Sequence, residues 1–223
     1  MLDRLELLIG NKIKVLEEKT VLLIGLGGVG GHCFESLLRS GIGTIIVVDS
    51  DVFDETNLNR QLLATKNTLG KSKVDIAEER QKTINQNCKI IKINSFITEK
   101  NIDTLFKHKI DFTIDAIDTV KTKKQIIEEC LKRKIKFISV MGTGGKMYAE
   151  KLEIIDLSKT SYDPIAKKLR TELKKENIKG KIKVISSAEK PIITKPISSN
   201  AFVPAVAGIL AANYAITQML KEN

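Results

Sequence analysis

Glycines, carboxylates and cations interrupt short apolar runs in the first third of the chain, at spacings that suit phosphate chemistry. The first run, residues 21–24, leads directly into a turn that contains Gly25, Gly27, Gly28 and Gly30. A glycine-rich turn between a strand and a helix directs backbone N–H groups and the positive end of the helix at a phosphate. Asp49 ends the next apolar run, nineteen residues after Gly30, where an acid can bind a ribose hydroxyl. The pattern predicts a nucleotide site and leaves NAD and ATP as alternatives.

The residues after the second run favour a triphosphate over a dinucleotide. Within thirteen residues the chain offers Asp49, Asp51, Asn57 and Arg60. Lys73 then opens the next predicted helix, and Asp118 follows the apolar run at 112–114, where a carboxylate can hold Mg²⁺ against phosphate oxygens. Arg and Lys neutralise charge that develops on transferred phosphates, whereas an NAD-dependent dehydrogenase has no need of them beside its nucleotide. We therefore expect ATP with Mg²⁺, and the dehydrogenase is the alternative.

Strands and helices alternate along the chain and position these residues. Buried parallel strands are short apolar runs, whereas helices repeat their apolar positions every three or four residues. Beyond the first strand–turn–helix–strand unit, the predicted strands are 90–93, 112–114, 137–140 and 152–155, and the predicted helices are 72–85, 99–107, 122–134, 163–176 and 205–220. This order predicts an α/β fold, a Rossmann-like doubly wound and mostly parallel sheet with a less regular C-terminal extension. No linker or repeat divides the chain, so we expect a single domain over residues 1–223.

Composition limits the classes of protein to which the chain can belong. Its 223 residues are 42% hydrophobic, which excludes a mostly disordered chain, and no basic stretch before an apolar run marks a secretory signal. Cys33, Cys88 and Cys130 lie far apart and form no CxxC pair, which argues against a disulfide framework and against a thiolate zinc site. We expect three small buried cysteines and a cytoplasmic, reducing location.

The last apolar segment, residues 201–220, has the length of a membrane span. Pro204, Gly208 and Asn213 interrupt it, and many of its apolar residues are alanine. These features favour a buried or dimer-interface helix, and we expect no membrane span.

Taken together, the motifs resemble the ubiquitin-activating-like superfamily of adenylating enzymes. The matching elements are the glycine turn, Asn57-Leu58-Asn59-Arg60-Gln61, Gly70-Lys71-Ser72-Lys73 and Asp115-x-x-Asp118. The resemblance implies a single ATP-binding adenylating domain, in which a carboxylate attacks the α-phosphate of ATP·Mg²⁺. The implied ligands are Asp49 for the ribose, Asn57, Arg60 and Lys73 for the phosphates, and Asp118 for magnesium. It also implies a homodimer in which Arg4 enters the partner's ATP site, so that Arg4 joins Arg60, Lys73 and Asp118 as a catalytic residue.

A closer resemblance covers nearly the whole chain. Gly142-Thr143-Gly144-Gly145-Lys146, the segment 156–170 and the segment 199–204 look like the tRNA threonylcarbamoyladenosine dehydratase branch of this superfamily. Members of that branch use ATP to activate the carboxylate of threonylcarbamoyladenosine beside the tRNA anticodon, and then close a ring with net loss of water. No enzyme cysteine is needed, which agrees with the absence of CxxC pairs. The branch also allows a monovalent cation near ATP and a sulfur-transfer protein as partner.

Charge separates the remaining alternatives. Lys and Arg number 37 against 27 Asp and Glu, a formal net charge of +10, and eight basic residues lie within 167–183. A tRNA binds clustered cations through counterion release, and we expect Lys167, Arg170 and Lys174 to share the helix face that contacts it. A lysine-rich surface that keeps the protein soluble is the plainer explanation of the charge. The alternative function is an adenylyltransferase that activates the C-terminus of a small sulfur-carrier protein.

Overall fold

Seven strands form one sheet, and all its neighbouring pairs are parallel except the pair at one edge. The computed structural model describes residues 1–222. The strands are β1 (Thr20–Ile24), β2 (Thr44–Val48), β3 (Lys89–Ile93), β4 (Phe112–Asp115), β5 (Lys136–Val140), β6 (Leu152–Asp156) and β7 (Lys183–Ser187). They lie in the order β3-β2-β1-β4-β5-β7-β6, with β6 antiparallel to β7. The strand order reverses between β1 and β4, which confirms the predicted Rossmann-like, doubly wound sheet.

Helices cover both faces of this sheet. They are α1 (Asp3–Ile9), α2 (Ile13–Glu17), α3 (Gly28–Arg39), α4 (Lys73–Ile84), α5 (Val120–Arg133), α6 (Pro164–Lys175) and α7 (Phe202–Met219). Short 3-10 turns occur at Gly10–Lys12, Glu55–Asn57, Ile102–Phe106, Ala149–Lys151, Leu157–Lys159 and Leu220–Glu222. The helix predicted at 99–107 is therefore only a 3-10 turn. The prediction also missed β7, which makes the region after Gly145 part of the sheet and more regular than expected.

Alternate residues of each central strand enter two different cores. Leu23 of β1 and Val47 of β2 pack with α3 and α7 on one face, whereas Leu22 and Ile46 pack with α5 and the Ile102–Phe106 turn on the other. Side chains of a strand alternate between faces, so a strand between two helical layers must be apolar throughout. This is why the central strands appear in the sequence as unbroken apolar runs.

The C-terminal helix α7 packs closely against α3. A Cβ atom on Gly208 would lie 2.2 Å from the Val29 carbonyl oxygen, so only glycine permits this approach. By length and composition α7 is the one helix among residues 1–222 that could cross a membrane, but Ala207, Ala211 and Ala215 are fully buried in the core. The buried helix predicted for this segment is confirmed, and the dimer-interface role of its other face stays a prediction.

Candidate functional site

Loops at the carboxyl ends of the parallel strands enclose a cavity of about 950 Å³. Its walls are the glycine turn after β1, residues 49–52 after β2, residues 95–97 after β3, residues 116–119 after β4 and residues 140–144 after β5. Ligands of doubly wound sheets bind at this edge, where the strand order reverses. The predicted site residues that line it are Gly25, Gly27, Gly28, Asp49, Asp51, Asn57, Arg60, Lys73 and Asp118. Of the predicted set, Gly30 and Arg4 do not line the cavity.

The glycine turn is shaped by close contacts that exclude a side chain. Gly25 has φ of 95°, and a Cβ atom there would lie 2.8 Å from the Ala116 carbonyl oxygen. A Cβ atom on Gly30 would lie 1.8 Å from the Gly25 carbonyl oxygen, so Gly30 lies behind the turn and allows α3 to start against it. Gly30 therefore has a packing role that the sequence analysis did not assign, and its contact with the nucleotide stays a prediction. No side chain caps α3, which leaves N–H groups of its first turn for an anion.

Asp49 holds the glycine turn in place. Its Oδ2 accepts a hydrogen bond of 2.7 Å from the Leu26 backbone N–H, and its Oδ1 accepts one of 2.9 Å from the Asp51 N–H. Both carboxylate oxygens keep a further lone pair for a ligand hydroxyl. The acid thus joins the loops after β1 and β2, and a ribose contact would add to this role.

Two cations reach the same cavity from different loops. Lys73 is 4% exposed, and its Nζ donates to Asp51 Oδ2 at 2.9 Å, so that Asp51 orients the ammonium. Arg60 donates through Nη1 to the Thr56 carbonyl oxygen at 2.6 Å and to Asn59 Oδ1 at 2.8 Å, which fixes its guanidinium while leaving other donors for a phosphate. Two positive groups that converge on an uncapped helix start form a site for a polyphosphate.

Asn57 and Asp54 fix the short turn that carries Arg60. The Asp54 carboxylate accepts from the Thr56 N–H at 2.7 Å, while Asn57 Oδ1 accepts from the Asp54 N–H at 3.4 Å. Hydrogen bonds from Thr56, with the charges of Lys73 and Arg60, hold the pKa of Asp54 below its ordinary value. Asn57 is buried and lines the cavity, so it shapes the site even where its own amide is engaged.

Asp118 lies on the opposite wall and is exposed to the cavity. Its carboxylate has no hydrogen bond or ion pair with any residue that the structure describes. Residues 1–222 contain no group of three or more His, Cys, Asp or Glu that could hold a metal alone. Mg²⁺ is commonly bound by one or two carboxylates together with substrate phosphates, so a lone free carboxylate that lines the same cavity as two cations fits that ion and ATP.

Arg4 lies outside this cavity, on the exposed face of α1. Its neighbours Leu7 and Leu8 are 82% and 80% exposed, so α1 presents apolar side chains to solvent. Within residues 1–222 the Arg4 side chain makes no hydrogen bond or ion pair. The predicted catalytic role of Arg4 therefore finds no support within this cavity of a single copy.

Comparison with known proteins decides the family. Residues 3–223 match the ThiF family. The chain belongs to the ThiF family. This ThiF-family chain is 41% identical to the tRNA threonylcarbamoyladenosine dehydratase of Bacillus subtilis over 240 aligned residues, covering 99% of the chain and 94% of the relative. It also superposes on crystal structures of the Escherichia coli tRNA N6-threonylcarbamoyladenosine dehydratase. The complex with AMP superposes with a TM-score of 0.94 at 30% sequence identity, and the match covers 99% of this chain and 94% of the relative. The complex with ATP superposes with a TM-score of 0.93 at 31% identity, and the match covers 99% of this chain and 93% of the relative.

A second group of ThiF-family relatives is more distant. The molybdopterin-synthase adenylyltransferase of Escherichia coli is 29% identical over 126 residues, which is 56% of this chain and 50% of that protein. The cysteines of this chain offer no thioester chemistry, because all three are buried free thiols. Burial raises the pKa of Cys88 and of Cys130 to about 12. The prediction of small buried cysteines is confirmed.

Two residues of the cavity wall received no role in the sequence analysis. Gln61 is buried in the wall, and its Oε1 has no hydrogen-bond partner among the described residues. Phe96 lines the cavity while 62% of it is exposed, next to Ile97. Gln61 could have been found from the sequence, because it belongs to the same motif as Arg60. No sequence signal distinguishes Phe96 from a core phenylalanine.

The basic helix α6 starts beside the cavity. The Asp163 Oδ1 accepts a hydrogen bond of 3.0 Å from the Ala166 N–H and so caps the helix. Its Oδ2 accepts a hydrogen bond of 3.1 Å from the buried Lys146 ammonium. Arg170 is not part of an exposed basic face, because its Nη1 donates to the carbonyl oxygens of Leu157 and Thr160 at 3.2 and 3.1 Å. Arg170 therefore anchors the Leu157–Lys159 turn through Nη1, and its contact with tRNA stays a prediction.

Proposed function

We propose that this chain is an ATP-dependent tRNA threonylcarbamoyladenosine dehydratase, built as a single adenylating domain over residues 1–223. The observation that carries the proposal is the meeting of Arg60, Lys73 and Asp118 around an uncapped glycine turn, in a fold that superposes on an ATP-bound enzyme of that name. The substrate carboxylate attacks the α-phosphorus of ATP, and the bond to the pyrophosphate oxygen breaks. A nucleophile of the same substrate then attacks the activated carbonyl, loses its proton and expels AMP, which carries away the carboxylate oxygen.

The cations stabilise the charge that builds up on the phosphates. Lys73, held by Asp51, and Arg60, held by the Glu55–Asn57 turn, are fixed before ATP binds. Preorganised positive groups lower the transition-state energy because they need no rearrangement during the reaction. The N–H groups at the start of α3 bind the phosphates from the other side, and Gln61 Oε1 remains as an acceptor in this wall.

Asp118 binds Mg²⁺ in this proposal. Mg²⁺ held by Asp118 would neutralise part of the charge on the phosphates. One free carboxylate on this wall would be enough for that role, because Mg²⁺ is commonly held by one or two carboxylates together with substrate phosphates. We propose no ligands for a monovalent cation.

The loop after β3 holds the adenine. Phe96 and Ile97 offer an aromatic ring and an aliphatic side chain at one end of the cavity, and Asp49 lies on the wall between them and the glycine turn. Adenine stacking on Phe96 would place the ribose towards Asp49. This arrangement supports ATP over NAD, because the phosphates then reach the two cations.

A homodimer and a tRNA surface complete the proposal. Arg4 and the apolar residues of α1 face solvent within one copy, which supports insertion of Arg4 into the site of a second copy. The exposed lysines of α6 lie beside Ile165, which lines the cavity, and support contact with tRNA phosphates. A sulfur-transfer protein as a further partner and a cytoplasmic location stay predictions.

One observation favours the alternative function, activation of a sulfur-carrier protein. The segment between β7 and α7 exposes Ile192, Ile193 and Ile197, of which Ile197 also lines the cavity. Exposed aliphatic side chains near a site are typical of protein recognition.

The decisive experiment incubates the protein with ATP, Mg²⁺ and tRNA that carries threonylcarbamoyladenosine, and then weighs the digested nucleosides. We expect a product lighter by one water, formed with AMP and pyrophosphate. Parallel reactions contain unmodified tRNA or a carrier protein ending in a flexible tail. Pyrophosphate release with the carrier protein and none with modified tRNA would establish the alternative instead.

A further inference from the structure

A fully buried lysine beneath the cavity has no part in the reaction described above. Lys123, near the start of α5, and Asp115, at the end of β4, have fully buried side chains and form an ion pair of 3.0 Å. Removing two charges from water costs free energy that their attraction often fails to recover, so apolar residues of similar volume are often at least as stable. Stability alone therefore does not explain this pair.

Every donor of the Lys123 ammonium has a partner. Its Nζ donates to Asp115 Oδ2, to Ser139 Oγ at 3.2 Å and to the Val140 carbonyl oxygen at 2.7 Å. The Ser139 hydroxyl donates to the same Asp115 oxygen at 2.5 Å. One buried ammonium thus joins α5, β4 and β5 at a single point.

The hydrogen bonds of this network end on two walls of the cavity. Asp115 Oδ1 accepts from the Ile117 N–H at 3.3 Å, and Ile117 precedes Asp118. Val140, whose carbonyl oxygen accepts from Lys123, lines the cavity at the end of β5, the strand beside β4. On the other side of β4, the Ala116 N–H donates to the Ile24 carbonyl oxygen at 2.8 Å, and the Ala116 carbonyl packs against Gly25. The side-chain network therefore ties the Asp118 loop to α5 and β5, and the neighbouring Ala116 backbone ties it to the glycine turn.

We propose that Lys123 is a positioning residue that, with Asp115 and Ser139, sets the place of Asp118 relative to the glycine turn. The inference rests on the proposed function for its effect on turnover, but the effect on the loop holds for any carboxylate substrate. A displacement of reacting groups by about 1 Å can lower a rate about 100-fold. Loss of the network should therefore impair turnover even in a protein that folds normally.

The test removes both charges together. The double variant Asp115→Leu/Lys123→Met leaves no unpaired charge in the core, so we expect it to fold. A matched control lies at the opposite ends of β1 and β4, where Lys19 Nζ is 3.4 Å from Asp111 Oδ1 and Asp111 Oδ2 accepts from the Thr20 N–H. Lys19→Met/Asp111→Leu makes the same chemical change far from the cavity.

Turnover and backbone exchange are compared at equal thermal stability. In the Asp115→Leu/Lys123→Met protein we expect kcat to fall about 10- to 100-fold, a smaller change in the KM for ATP, and faster hydrogen exchange of amides 116–119. The control should keep the wild-type kcat and exchange. A purely structural role would change the unfolding midpoint and leave kcat and the exchange of amides 116–119 unchanged.

The outcomes separate this inference from the proposed function. Wild-type kcat and exchange in a double variant with a native midpoint would overturn the positioning role. Should that variant not fold, Ser139→Ala removes the two hydrogen bonds of the Ser139 hydroxyl and keeps the ion pair, and unchanged exchange and kcat in it would overturn the role equally. If wild-type protein fails to convert modified tRNA, the proposed function fails, and exchange of amides 116–119 still decides whether the network holds the loop.

Discussion

At the scale of single residues, Asp118 differs from the other polar side chains of the cavity. Lys73 is held by Asp51, and Asp49 holds the Leu26 N–H, whereas the Asp118 carboxylate is exposed and makes no bond within the described residues. A side chain that contributes no contact to the fold can be changed with little effect on stability. Its chemistry can therefore be tested separately from folding.

We predict that Asp118→Asn abolishes most turnover while the protein stays folded. Asparagine keeps the size of the side chain and removes the negative charge that binds Mg²⁺, so kcat should fall about 100-fold or more. The measurement is single-turnover kinetics at several Mg²⁺ concentrations, with the thermal midpoint as control. A variant with the wild-type rate and Mg²⁺ dependence would show that the ion is bound elsewhere.

The sequence predicts site residues where a motif fixes both type and spacing. Gly25, Arg60 and Lys73 belong to such motifs, and all three line the cavity. Phe96 does not, because an aromatic residue after a strand usually enters a core, and only the tertiary structure turns it towards the cavity. The anchoring role of Arg170 was missed for a similar reason: helical spacing locates a face but does not show which neighbouring turn packs against it.

At the scale of elements, α3 and α4 are joined by a carboxylate between two guanidinium groups. Glu35 accepts two hydrogen bonds from Arg80, at 2.9 and 2.8 Å, and others from Arg39. Burial raises the pKa of Glu35, but the two guanidinium groups outweigh burial, and the net pKa is lowered from 4.5. The ionised form therefore stabilises the folded state.

We predict that Glu35→Gln lowers the free energy of unfolding by about 1 kcal/mol at pH 7, because partly exposed pairs contribute little more. The folded-state pKa is lowered, so this contribution is complete above pH 4.5 and is lost as pH falls through the folded-state value. Denaturant unfolding at pH 7 and pH 3 should show a smaller difference between variant and wild type at pH 3. Glu79→Gln, on the exposed face of α4, is the control and should have no effect at either pH.

The exposed lysines of α6 provide a further prediction at this scale. Changing Lys167, Lys168 and Lys174 together to Gln should weaken tRNA binding and reduce its salt slope by up to about three, one for each phosphate contact, and leave the KM for ATP unchanged. The control changes Lys89, Lys107 and Lys109 to Gln, since these exposed residues lie at the amino ends of β3 and β4. Equal loss of affinity in both triple variants would indicate a general charge effect and contradict a specific α6 contact.

Elements were predictable from sequence where burial on both faces makes a strand uniformly apolar. In β7, Val184 and Ile185 are followed by Ser186 and Ser187, which resemble a loop although both serines are buried. The strand exists because it bridges β5 and the antiparallel β6, and such a long-range pairing leaves no local pattern. The predicted helix at 99–107 failed for the opposite reason, because its apolar residues fill the core from a single short turn.

At the scale of the whole molecule, a single chain supplies all the walls of the cavity, and the family resemblance adds Arg4 from a partner. Arg4 is exposed on α1 and lies outside the cavity lining. Residues contributed across a symmetric interface occur twice in a dimer, once at each site. A complementation experiment can therefore distinguish action in the same subunit from action in the partner.

We predict that an Arg4→Ala protein mixed with an Asp118→Ala protein regains activity. If Arg4 acts in the partner, each mixed dimer has one site with an intact Asp118 and an intact Arg4, and one site that lacks both. Random exchange at equal amounts should then restore about a quarter of the wild-type rate per subunit. The rate is measured after subunit exchange, which mass spectrometry of a tagged copy verifies.

Each variant alone is the control, since a dimer of either kind has two defective sites. Mixed dimers that form and stay inactive would mean that Arg4 serves its own subunit or has no role, because a defect within one subunit cannot be complemented by the other.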